Sequence, residues 1–90
     1  MLLNGEPTAL QPGDLICIEL ETGLVSVSRS GFTLGSIDGQ DKLPVDQYRS
    51  ITDGVARCTA YIIAEVAGLR LGKAQKRQSG MLVIFPLVQA

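Results

Sequence analysis

Five cations crowd the later part of this chain: Arg57, Arg70, Lys73, Lys76 and Arg77. Glu65 is the only acid among them, so residues 57–90 carry +4. Residues 1–56 set Arg29, Lys42 and Arg49 against eight acids and carry −5, and the two parts together give the net −1. Four of the cations fall within GLRLGKAQKRQSG, residues 68–80. Guanidinium and ammonium groups at this density can meet a run of phosphates or carboxylates, so the asymmetry points to an anionic partner. The plainer reading is a solvated hairpin or loop whose charges keep a sheet edge soluble.

Other chemistry is thinly provided. There is no histidine, which removes the commonest general base and metal ligand. Cys17 and Cys58 form no CxxC, and no cysteine–carboxylate cluster has metal-ligand spacing. Neither a GxGxxG nor a Walker sequence occurs, and no serine has a visible base partner. Asp38, Asp41, Asp46 and Asp53 are scattered as turn and cap residues rather than gathered as paired carboxylates. The expectation is a binding module, not an enzyme, with neither cofactor nor small-molecule substrate.

The element that must position any site is the stretch Pro12–Ile37. Pro12-Gly13-Asp14 punctuates a turn. Leu15–Leu20 is a short apolar run of the kind a strand buried on both faces shows. After a turn at Glu21–Gly23, Leu24–Ser28 alternates, with Val25 and Val27 on one side. Ser30-Gly31 turns again into Phe32–Ile37. Short turns of this kind join strands into an antiparallel meander with one apolar face to cover. Leu2 and Leu3 supply a short strand closing one edge.

After the polar loop 38–42, Pro44 opens a short amphipathic helix carrying Val45, Tyr48 and Ile51, which Asp53-Gly54 ends. Residues 55–66 fit two patterns. As a strand, Ala56, Cys58, Ala60, Ile62, Ala64 and Val66 share a face. As a helix, Ile51, Val55, Cys58, Ile62, Val66 and Leu69 form a stripe, and the helix could extend from about Pro44 to Lys76. The β-leaning Thr-Ala-Tyr-Ile-Ile favours the strand. Met81–Phe85 reads as a final strand, pairing with residues 56–66 or with the first meander strand, and Pro86 belongs at its end or on an edge.

The fold expected is therefore mainly β: one domain over residues 1–90, a small antiparallel β-barrel or curled sheet with one short helix. The alternative is an α+β sheet covered by one long helix. Both cysteines are expected to be buried as small hydrophobes. No run is long enough to span a membrane and no signal segment stands at the start, so a cytoplasmic location is expected. A hydrophobic fraction of 46% is high for so small a domain and points to apolar surface hidden by a partner or a second copy.

The order strand, turn, strand, then FTLGSI, LPVDQYRSI, Asp53-Gly54 and ARCTAYIIAEVAG resembles HIRAN domains over residues 13–68. The best-matching positions are Gly35, Leu43, Ile51 and Gly54, while Glu19–Gly23 stands where that family has an Asn-Pro-x-Asp loop. The resemblance implies a nucleic-acid-binding accessory domain for single- or double-stranded DNA. Its contacts would be Arg57, Tyr61, Arg70, Lys73, Lys76 and Arg77, with Tyr61 stacking on a base and the cations on phosphates. Otherwise Tyr61 is an ordinary residue half covering the sheet. The strand with its following Thr-Gly turn is also similar to swapped-hairpin folds of the AbrB type. That likeness implies a homo-oligomeric structural or regulatory module with Met81–Val88 at the interface.

Overall fold

The computed structural model describes residues 2–37 and 52–90. The expected helix from Pro44, with Val45, Tyr48 and Ile51, lies outside the described residues, as do the acids of the 38–46 stretch. Eight strands and one helix make up the remainder: β1 (Leu2–Leu3), β2 (Glu6–Pro7), β3 (Leu15–Glu19), β4 (Val25–Arg29), β5 (Phe32–Ser36), α1 (Asp53–Ala67), β6 (Leu69–Leu71), β7 (Gln75–Arg77) and β8 (Leu82–Gln89). Mainly-β architecture with one helix is thus what the described residues adopt. The sheet is antiparallel and open, in the order β5-β4-β3-β8-β6, with β7 also on β8, and it does not close into a barrel.

The meander forms as its alternation requires. β3 and β4 pair from Leu15↔Ser28 to Ile18↔Val25. Their turn is closed by Gly23 N–H donating to the Glu19 carbonyl at 2.8 Å and by the Thr22 hydroxyl donating to Glu19 Oε2 at 2.8 Å. Ser30 and Gly31 both take positive φ, 52° and 83°, the conformation of the tight hairpin turns whose twist suits the strands. A bulge between Val27 and Ser28 shifts the β4–β5 register. β1 adjoins the β5 edge through a Leu3↔Ile37 bridge and the Asn4 N–H to Ser36 carbonyl bond of 3.0 Å, so Leu2–Leu3 does close an edge.

β3 is fully buried on one face only. Ile16 and Ile18 are in the core, while Leu15 and Cys17 are half-buried on the other side. β8 pairs with β3 through five positions, Leu15↔Pro86 to Glu19↔Leu82, and sends Val83, Phe85 and Leu87 to the same core. Pro86 is therefore inside a strand with neighbours on both sides, not at an end or edge. β7 pairs with β8 over Leu82–Ile84 and β6 over Leu87–Gln89. Pro86 falls between these two ladders, where its missing N–H has no acceptor to leave unserved. Its carbonyl still accepts from Gly72 N–H at 2.7 Å.

Residues 55–66 are helix, not strand. Thr52, extended at φ −76° and ψ 161°, accepts the Val55 N–H on its hydroxyl and caps the first turn, and Asp53 sits at the electropositive end. Asp53-Gly54 thus begins the helix rather than ending one. Gly68, at φ 71°, ends it in the left-handed conformation, its N–H reaching the Ala64 and Glu65 carbonyls, so no long helix continues to Lys76. Ala56, Ala60 and Ala64, with Ile63, face the sheet. Methyl side chains one turn apart let the helix lie close over β6 and β8, in one core cluster with Ile16, Ile18, Val25, Val83, Phe85 and Leu87. Cys58 lies on the exposed side of this helix, contrary to the expected burial, and Cys17 is half-buried. No described helix is long and apolar enough to cross a membrane.

Candidate nucleic-acid interface

The structure distributes the six expected contact residues over α1, β6, β7 and the turn between the two strands. Tyr61, on α1, is 57% exposed rather than covering the sheet as a strand residue. Together with Ala64, Glu65, Leu69, Arg70 and Leu71 it lines a groove of about 380 Å³ between the later half of α1 and β6. The Arg70 Nε donates to the Gln89 carbonyl at 3.3 Å, which ties its guanidinium to the strand edge.

The register divides the cations between the two faces. Arg70 pairs with Val88 and Arg77 with Leu82, and paired residues share a sheet face. Both therefore belong to the face turned away from α1. Lys73 is exposed in the connection between β6 and β7. At roughly 3.3 Å per residue, Arg70 and Arg77 lie about 20 Å apart along this edge. Lys76 pairs with the core residue Val83 instead and forms an ion pair with Asp53 at the start of α1. The Arg57 guanidinium stands 5.9 Å from the centroid of the buried Phe85 ring, a cation–π contact that commits it partly to the core margin. The six residues are thus not one patch. Tyr61 and Arg70 share a groove, Arg70, Lys73 and Arg77 follow an edge, and Arg57 and Lys76 have internal partners.

Glu65 is a groove residue that the charge reading treats only as background. Its signal is its spacing, one helical turn after Tyr61, which places the two on neighbouring positions of one helix surface. Asp14 also goes unmarked in the sequence except as a turn residue. It is 1% exposed and accepts from Arg29 Nε at 2.7 Å, Arg29 Nη2 at 2.8 Å and the Gln11 N–H at 2.8 Å. The Arg29 hydrogen bonds hold its carboxyl below the ordinary 3.8, against the opposing effect of burial. This pair closes the meander on itself and leaves Asp14 no capacity as a proton donor near neutrality. Among the described residues no group of three His, Cys, Asp or Glu side chains converges as a metal site.

Compared with protein-family models, with curated proteins and with solved structures, the chain gives no significant match.

Proposed function

We propose that this domain is a non-enzymatic binding module that takes single-stranded nucleic acid along the β6–β7 edge. The observation that carries the reading is the placement of Arg70, Lys73 and Arg77 along about 20 Å of one sheet edge, with the exposed Tyr61 on the α1 side of that edge, in a groove that β6 also lines. An extended polyanion meets such a row with successive phosphates, and an exposed tyrosine offers a base a stacking surface that does not depend on sequence. A duplex presents its phosphates on a wider, stiffer surface and stacks its bases away from any side chain, so the single strand fits the groove better.

Fluorescence anisotropy of labelled single- and double-stranded oligonucleotides across a salt series tests this. Affinity should fall steeply with salt, and each of Arg70→Ala, Lys73→Ala and Arg77→Ala should lower the slope of log affinity against log salt by roughly 0.7. Tyr61→Ala should weaken single-strand binding without changing that slope. Absence of binding at low salt would sink the proposal and leave the cations as solubilising groups on an exposed edge.

A further inference from the structure

Helix α1 is apolar on two sides. Its inner alanines and Ile63 meet the sheet, yet Val55, Ile62 and Val66 on the outer side are 53%, 63% and 68% exposed, with the exposed Cys58 between them. Their spacings of three, four and four residues hold them on one stripe running the length of the helix, roughly 22 Å. Single exposed hydrophobics are ordinary, but a continuous stripe over successive turns marks a surface that is covered in use.

We propose that a second copy of this chain covers this stripe, the two α1 helices packing antiparallel about a two-fold axis near residues 60–61. The stripe is self-complementary when reversed. Inverted about that point, Val55 lies opposite the partner's Val66, and Ile62 opposite the partner's Thr59. Contacts that exchange in this way are what a two-fold interface demands. The charges agree with the same direction. Glu65 flanks the stripe near its end, and the antiparallel arrangement carries it over the first turn of the other helix, the electropositive end. A parallel arrangement would set Glu65 against its own copy. Tyr61 lies at the margin, and the β6–β7 edge stays outside the contact, so this inference stands apart from the nucleic-acid reading.

Sedimentation equilibrium of the full chain, from low micromolar to near-millimolar concentration, tests it. A monomer–dimer equilibrium is expected. Ile62→Glu and Val66→Glu, on exposed positions that leave the fold intact by circular dichroism, should each raise the dimer dissociation constant roughly thirtyfold or more. Inverted about residues 60–61, the two Cys58 thiols are offset by only about 7.5 Å along the axis. A short bismaleimide should therefore link wild-type chains, and Cys58→Ser should abolish the link. A monomer at every concentration overturns the proposal, whatever part of the same chain then covers the stripe. So does a dimer that persists in both glutamate variants. A dimer that these variants dissociate but that Cys58 cannot cross-link overturns the antiparallel arrangement.

Discussion

Asp14 and Arg29 face each other one step beyond the last β3–β4 ladder pair, Leu15↔Ser28, and join through two charged hydrogen bonds of 2.7 and 2.8 Å. The same guanidinium donates to the Ala9 carbonyl at 3.1 Å, so one side chain fastens both the open end of the hairpin and the segment that leads into it. The bidentate geometry uses the planar fork of arginine, which a lysine cannot reproduce.

Acidification should release this fastening. The Arg29 hydrogen bonds lower the Asp14 pKa in the folded chain below its ordinary 3.8, so on acidification the unfolded chain takes up this proton first. The pair's stabilisation is complete above about pH 4 and is lost as the pH falls through the lowered folded value. Melting curves from pH 7 to pH 2 should show this fall. Asp14→Asn should lower Tm at pH 7 by on the order of 10 °C and flatten the acid dependence. An unchanged acid dependence in that variant would show that other carboxylates govern it.

Close approach of α1 to the sheet should make Ala60 intolerant of size. Ala60 is fully buried among the core side chains. Ala60→Leu should destabilise the fold by about 1–3 kcal/mol through overpacking, measurable by urea titration. By contrast, Phe85→Ala should cost about 3–5 kcal/mol through the cavity it leaves.

Gly35 is required by a neighbour as well as by its backbone. A Cβ there would fall 2.6 Å from Asn4 Nδ2, and the Asn4 Oδ1 in turn accepts the Ser36 N–H at 3.1 Å. Gly35→Ala should destabilise strongly, Asn4→Ala mildly. The double variant should be less destabilised than the sum, since removing the amide clears the space. Full additivity in a double-mutant cycle would exclude the clash as the cause.

The two thiols should report the two sides of the fold. Cys58 is exposed on α1, whereas Cys17 is half-buried on β3 and burial raises its pKa. At concentrations where the chain is monomeric, Ellman's reagent at neutral pH should modify Cys58 rapidly and Cys17 much more slowly, with both reacting at similar rates in denaturant. Equal rates in the native protein would contradict the β3 placement.

Much of the sheet was legible because its signals are local. Glu21–Gly23 and Ser30-Gly31 set the turns, and Val25 and Val27 point to one face, so the meander follows from residues close in sequence. The same register even places Asp14 opposite Arg29, although reading Asp14 as a turn residue hides the pair. Residues 55–66 mislead for a definite reason. Ala56, Ala60 and Ala64 recur every four residues, a spacing that satisfies both a strand's period of two and a helical face. Thr52 and Gly68 resolve the choice by capping each end. Pro86 breaks the rule that excludes proline from inner strands only because β6 and β7 are separate ladders, a long-range arrangement with no trace in the local sequence. The cations were legible as a charge asymmetry. Their division between faces was not, because it depends on which β8 residue each one pairs with.

The place of β8 has a consequence for how the chain reaches this structure. It follows the other described strands in sequence but is an inner one in the sheet, and its pairs with β3 join residues 63 to 71 positions apart. During synthesis the meander emerges first, and one side of β3 stays unpaired, with Ile16 and Ile18 lacking Val83, Phe85 and Leu87 as core neighbours, until Leu82–Gln89 has followed. Such late, distant closure slows folding and prolongs exposure of a sticky edge, so the yield of native protein should depend on how quickly Leu82–Gln89 follows the meander.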